Sequence, residues 1–273
     1  MLKTSDDAAA APWDAVDYVQ HSSLQEAMAA EVMALLQLHG NEHVLDVGCG
    51  DGRLTARIAE RLPKGNVLGV DASPDMVSFA TSTFAQSTSG SRHNVRFEVA
   101  DARALPYHDA FDLIVSFNAL HWVPEQTLAL QGIAAALRPS GRAQLRLVVR
   151  GEVISLEAVA EQVRQEPRWA PHFDGFRDPY LRLTADEYAA LAEHEGLHVV
   201  TQRTRLRSWD FQSDSAFFGF CKAGFGAWTR RLAPDEGDVY VRDVIRAYQL
   251  ALAMTPADKN VFRFYQMDIT LTR

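Results

Sequence analysis

Reactive groups in this chain concentrate first in Asp46-Val47-Gly48-Cys49-Gly50-Asp51-Gly52, which follows a short apolar run and precedes an amphipathic one. Glycine at alternate positions frees the backbone for positive φ and lets it pass close to a ligand. The dinucleotide fingerprint asks for a small residue one place beyond Gly52, where this chain carries Arg53. The acids Asp46 and Asp51 also oppose a pyrophosphate, because two like charges about 5 Å apart repel by roughly 3 kcal/mol at an effective dielectric near 20. A ligand with an ammonium and a sulfonium is attracted instead. Asp71 ends the run NVLGVD, where an acid can accept both hydroxyls of a ribose. Asp101-Ala102 ends VRFEVAD, placed to meet an adenine amino group, and Ser116-Phe117-Asn118-Ala119-Leu120-His121-Trp122 leaves FDLIVSF.

Four such clusters need a frame that brings strand ends together. Short apolar runs at 43–47, 66–71, 95–101, 111–117 and 142–149 alternate with helical patterns. Strands apolar throughout belong to a parallel sheet covered on both faces. The expected fold class is therefore α/β, a doubly wound, seven-stranded, mostly parallel sheet, whose ligands sit at the carboxyl ends of the strands. A helix is expected from Ser22 to Leu38, and another through PEQTLALQGIAAALR, closed by Pro139 and Gly141. After Arg150 the rhythm changes. A helix at 156–163, an aromatic and arginine-rich loop (166–182), the capped helix TADEYAALAEHEG and a strand LHVVTQRTRLR lead into an aromatic, mainly helical stretch at 208–260. The final NVFRFYQMDITLTR alternates like a strand. The expected division is a flexible tail at 1–12, a cofactor-binding core at 13–150, substrate-side helices with the end of the core sheet at 151–207, a helical lid at 208–260, and the last core strand at 261–273.

Composition narrows the partners. The 273 residues are 47% hydrophobic and 23% charged, an ordinary globular balance, and carry a net charge of −8. That charge argues against gripping nucleic acid over a wide surface. Two cysteines without metal-type spacing support neither a disulfide framework nor a metal site. The absence of a long apolar span and of a basic leader predicts a cytoplasmic protein, with no membrane partner, as monomer or homodimer.

S-adenosylmethionine (SAM) has both the ammonium and the sulfonium that the acidic glycine turn favours. At this point the chain resembles the class I SAM-dependent methyltransferases, in order from about Tyr18 to Val149: Tyr18, Ser22 and Gln25, then VLDVGCGDG, VLGVDASPDMV, VADARALP, FDLIVSFNALHWV and LRPSGR. HWV after the fourth strand, with the N-terminal Tyr/Ser/Gln pattern, is similar more narrowly to the trans-aconitate and juvenile-hormone-acid methyltransferases, which methylate carboxylates of small acids. The resemblance implies that Gly48, Cys49 and Gly50, next to Asp46, line the methionine end of SAM, that Asp71 takes the ribose, and that Ala72 and Met76 pack near the adenine met by Asp101 and Ala102. Asn118 backbone then lies near the sulfonium, and Tyr18 and Gln25 close the site. No Asn-Pro-Pro-Tyr motif of base-methylating enzymes follows Asn118.

The implied reaction is in-line methyl transfer from SAM to a small-molecule acceptor, a carboxylic acid by resemblance. Transfer to N, S or C of a secondary metabolite, or a non-catalytic SAM-binding module, stays open at this level. His121, Trp122 and Arg150 are the expected catalytic groups: donors that orient a carboxylate, Arg150 by pairing with a second carboxylate, or, for a hydroxyl acceptor, His121 as base. The plain alternatives are a packing His121, a core Trp122, a solvated Arg150, and a Cys49 that is only small. Arg203, Arg205 and Arg207 read as a solvated strand face, and Trp209, Phe211, Phe217, Phe218, Phe220, Phe225 and Trp228 as the core of the lid.

Overall fold

The computed structural model describes residues 23–85 and 94–273. The expected tail, Tyr18 and Ser22 lie outside the described residues, as does the side chain of Gln25. The elements are α1 (Ser23–Leu35), β1 (His43–Val47), α2 (Arg53–Glu60), β2 (Asn66–Asp71), α3 (Pro74–Ala80), β3 (Val95–Val99), β4 (Phe111–Phe117), α4 (Gln126–Ala136), β5 (Leu137–Val149), α5 (Leu156–Val163), α6 (Ala185–His194), β6 (His198–Asp210), α7 (Asp214–Gly224), α8 (Pro234–Ala251) and β7 (Val261–Thr272). Seven strands form one sheet in the order β3-β2-β1-β4-β5-β7-β6. Neighbours from β3 to β5 pair in parallel, and β7 runs antiparallel between β5 and β6. The chain reverses between β1 and β4, so the ends of β1, β2 and β4 open onto one crevice.

Local chemistry sets most boundaries. Ser73 caps α3 by accepting from the Met76 N–H, with Pro74 at the first helical position. Thr184 and Glu187 form a reciprocal capping box at the start of α6. Two expected helix ends move inward. The first helix stops at Leu35, and α4 stops at Ala136 instead of Arg138. Pro139 disfavours helical backbone at Arg138, and Leu137 pairs with Phe111, so β5 begins there.

Three apolar clusters hold the layers together. Leu45, Ile114, Leu145 and Ile269 meet α4 and α6 on one face of the sheet, through Leu130, Ile133, Tyr188 and Ala192. On the other face Val44, Leu113 and Val115 pack under α2 and α3. The third cluster joins Val148, Phe262 and Phe264 to α5, α7 and α8. It contains Trp169 and Trp228, both fully buried, whose indole N–H groups reach Asp243 and Glu161 at 3.3 and 2.9 Å. Phe217 and Phe225 are core, Phe211 nearly so, and Trp209, Phe218 and Phe220 pack partly buried against it. Among the described residues no helix is long and apolar enough to cross a membrane, and no group of His, Cys, Asp and Glu is arranged to hold a metal ion.

Candidate active site

The glycine turn forms because β1 ends where β2 still offers a carbonyl. Val70 O accepts from both Gly48 N and Cys49 N, at 2.8 and 3.0 Å. Gly48, Gly50 and Gly52 take φ of 76°, 53° and 79°, the left-handed region that other residues enter at a cost. Their surroundings differ. A Cβ on Gly48 would stand 2.1 Å from Ala119 Cβ, so this glycine lets the segment after β4 close onto the turn. A Cβ on Gly50 would meet nothing within 4 Å, so here the bare backbone faces open space.

Asp71 binds the turn to the end of β2. Its Oδ2 accepts from Gly50 N and its Oδ1 from Ser73 N, both at 2.9 Å. Burial raises its pKa against those two hydrogen bonds. No cation among the described residues pairs with it, and each oxygen keeps a lone pair.

The two acids beside the glycines behave differently from a pair of exposed charges, which corrects the expectation for both. Asp46 is 2% exposed and accepts from Thr55 Oγ1 at 2.6 Å; burial pushes its pKa up to about 7. Asp51 accepts from Arg53 N and lies 3.3 Å from the Arg53 guanidinium. Of the three acids, Asp71 is the half-buried one that no cation among the described residues pairs with, while Asp46 sits buried behind the turn. Cys49 is buried, and burial pushes its thiol well above the ordinary range, so it behaves as a small packing residue.

Asp101 also departs from the sequence reading. It caps a 3₁₀ turn at Ala102–Ala104 through the Arg103 N–H, and Arg103 grips both its oxygens, with Nη2 to Oδ2 at 2.6 Å. The guanidinium lowers the Asp101 pKa, and Glu125 shares the same arginine. An acid read as free to meet an adenine amino group is thus half of an ion pair. The partner lies only two residues away but carries no motif. Met76 is buried on α3, while Ala72 and Ala102 are half-buried.

After β4 the backbone turns at Asn118, with φ 58°, and Asn118 N donates to Arg146 O. Its amide Nδ2 reaches Met28 Sδ at 3.4 Å, and its Oδ1 is buried without a hydrogen-bond partner. His121 follows. β4 ends at Phe117, so it no longer reaches the Val148 N–H of β5; His121 Nδ1 accepts that proton at 3.3 Å. An accepting Nδ1 makes Nε2 the protonated nitrogen. Burial lowers the His121 pKa to about 3, so the ring is neutral. Tyr180 packs against both His121 and Trp122, 5.3 and 4.9 Å from their ring centres.

Arg150 does not join this group. Its guanidinium is exposed and donates to both carboxylate oxygens of Glu187 at 3.1 Å, so the expected pairing with a substrate carboxylate is replaced by an ion pair on α6. Sequence reasoning missed Glu157. It is 7% exposed at the start of α5, and burial raises its pKa. Its Oε2 lacks a hydrogen-bond partner; burial, and after it the Glu157 charge, pushes the pKa values of Tyr180, Cys221 and Tyr248 up. A glutamate in a helix's first turn looks like an ordinary helix start in sequence.

The general description of a methyltransferase domain matches residues 38–196, which span β1 through α6 and hold the glycine turn, Asp71 and His121. The chain belongs to this methyltransferase family. Its methyl donor is SAM, and it is an enzyme. The methyltransferase is 33% identical over 216 residues to the trans-aconitate 2-methyltransferase of Streptomyces avermitilis, covering 74% of this chain and 79% of that one. It is 26% identical over 250 residues to the Escherichia coli enzyme of the same name, covering 91% and 92%. The YcgJ protein of Bacillus subtilis shares its fold, with a TM-score of 0.62 at 19% identity over 91% of this methyltransferase and 99% of that chain.

Proposed function

We propose that this methyltransferase transfers the methyl group of SAM to a carboxylate oxygen of a small organic acid. The residues present fit SAM. Gly50 offers backbone facing open space, Asp71 brings an uncompensated carboxylate for the ribose, and Asn118 Oδ1 is an acceptor still lacking a donor. Gly48, Cys49 and Asn118 would line the methionine end, with Asp46 behind the turn. Ala72, Met76 and Ala102 would lie beside the adenine, and Asp101, through its pair with Arg103, at its edge. Tyr18 and Gln25 are carried on the family resemblance alone. When bound, SAM supplies a sulfonium methyl: the acceptor oxygen forms the new bond, the S–CH₃ pair stays with sulfur, and no proton has to move.

The observation that carries the acid reading is the state of His121. With Nδ1 occupied by the Val148 N–H and a pKa near 3, the ring is a hydrogen-bond donor through Nε2 and a poor base. A hydroxyl acceptor would need a base that this histidine does not provide. A carboxylate is ionised near neutral pH and needs only orientation. Trp122 and Tyr180 would wall the acceptor and exclude water. The trans-aconitate methyltransferases among the relatives support the same reading. The free cysteines and the lack of a spanning helix among the described residues support a cytoplasmic enzyme.

Incubation with methyl-labelled SAM and a panel of small mono-, di- and tricarboxylic acids tests the reading. A methyl ester is released by mild alkali, whereas an N- or C-methyl product is not. Alkali-stable product alone rejects the acid reading. Glu157 favours a second reading, an amine acceptor, since a buried carboxyl with one oxygen unpartnered, close to Tyr180, suits a cation. Amines in the same panel decide between the two.

A further inference from the structure

Gln266 is 3% exposed in the middle of β7, yet among the described residues the one group its amide nitrogen reaches is Met28 Sδ at 3.9 Å. A thioether is a weak acceptor, and a buried amide donor left so poorly matched costs stability. The same sulfur receives the Asn118 amide at 3.4 Å. Two carboxamides, one just past the end of β4 and one on β7, thus lie within reach of a single atom supplied by α1. Register places both next to the stretch of β5 that holds His121. Gln266 pairs with Val148 on β5, whose N–H holds His121, and Asn118 N donates to Arg146 O two residues earlier.

The residue across the ladder from Gln266 is a cation. Arg205 lies directly opposite it on β6, where paired residues share a face, and no acid among the described residues pairs with Arg205. Arg146, by contrast, is buried and held by Asp268 at 2.6 Å, with Glu31 of α1 at 3.4 Å. Glu31 also holds Arg207, at 2.6 Å. The network around Arg146 is close to neutral and has little attraction left for a ligand.

We propose that Gln266 and Asn118 form the acceptor-recognition pair, donating their amide N–H groups to the carboxylate of the substrate after Met28 withdraws from between them. The inference rests on the acid reading above and deepens it. Neutral amides suit this task, because they hold a carboxylate in line without neutralising the lone pair that attacks. Gln266 is then a specificity-determining residue, set on a strand whose motif content is nil.

The test compares wild type with Gln266→Glu and Gln266→Met in steady-state assays with an acid that the wild type turns over. Gln266→Glu keeps the shape and brings a charge that repels the acid; Gln266→Met removes the donor with little change in volume and keeps the experiment informative if the buried glutamate disturbs folding. A lost hydrogen bond to a charged group should raise KM for the acid roughly tenfold or more in Gln266→Met, and further in Gln266→Glu. The affinity for SAM should stay unchanged, a split that a general loss of structure would not produce. Unchanged KM for the acid, or a parallel loss of SAM binding, overturns the inference while leaving the acid reading intact. Absence of alkali-labile product from the wild type with every acid overturns the acid reading itself.

Discussion

The crevice at β1 and β2, proposed for SAM, and the region beneath α5, α7 and α8, proposed for the acceptor, are built by opposite means. In the crevice, backbone does most of the work. Three left-handed glycines and two N–H groups on Asp71 set the shape, within a stretch of chain about 25 residues long. Beneath the helices, side chains do it. His121 meets Tyr180, and Gln266 meets Met28, from parts of the chain far apart in sequence that come together only through packing. A cofactor common to a family can be held by invariant backbone geometry, whereas an acceptor pocket is re-cut by exchanging side chains on a stable frame.

The largest expected effect attacks the backbone-built half. Gly48→Ala forces a Cβ into Ala119 at a left-handed position, and strain plus overlap should cost about 3 kcal/mol. Calorimetry should find SAM binding weakened a hundredfold or more; near-normal binding would show that Ala119 yields and that the turn is less rigid than its contacts suggest. Asp71→Ala removes the proposed ribose ligand and the acceptor of two amides. A loss of about 1.5–3 kcal/mol in SAM binding is expected, read by the same titration, with a lowered Tm.

His121→Phe sharpens the contrast from the other side. The ring volume stays while the N–H is lost, so turnover should fall about tenfold with SAM affinity unchanged. Wild-type kcat should also show no acidic limb near pH 6.5, because the His121 pKa is already lowered to about 3. A limb at that pH would restore the imidazole as a base. For stability the sign follows from the lowered value: the unfolded state binds the extra proton between about pH 3 and 6.5, so the contribution of a neutral His121 is complete above that window and is lost as pH falls through it.

Asp46 works in the reverse direction. Its folded pKa, about 7, exceeds the unfolded value, so the folded protein binds the extra proton, and this contribution, present below about pH 4, is lost as pH rises to 7. Ionised Asp46 attracts a cationic ligand, so SAM affinity should rise a few-fold from pH 6 to 8, and Asp46→Asn should flatten that slope in binding measured across pH. The smallest effect is expected at Arg150. Its ion pair with Glu187 is exposed, so Arg150→Ala should leave turnover and KM within about twofold. A large rise in KM for an acid would return Arg150 to the acceptor site.

Residue order alone determined the alternation of β and α, the glycine turn and the acid nineteen residues beyond it, because those features depend on local backbone needs and on periodic burial. It also carried the position of His121 after β4, but not its state. Only the tertiary structure decided that Val148 takes up Nδ1 and burial keeps the ring neutral, that Arg103 claims Asp101, that Glu187 claims Arg150, and that Gln266 lies buried against Met28. Charge pairing and desolvation depend on groups brought together across the sheet, many of them distant in sequence, and no spacing along the chain encodes that meeting.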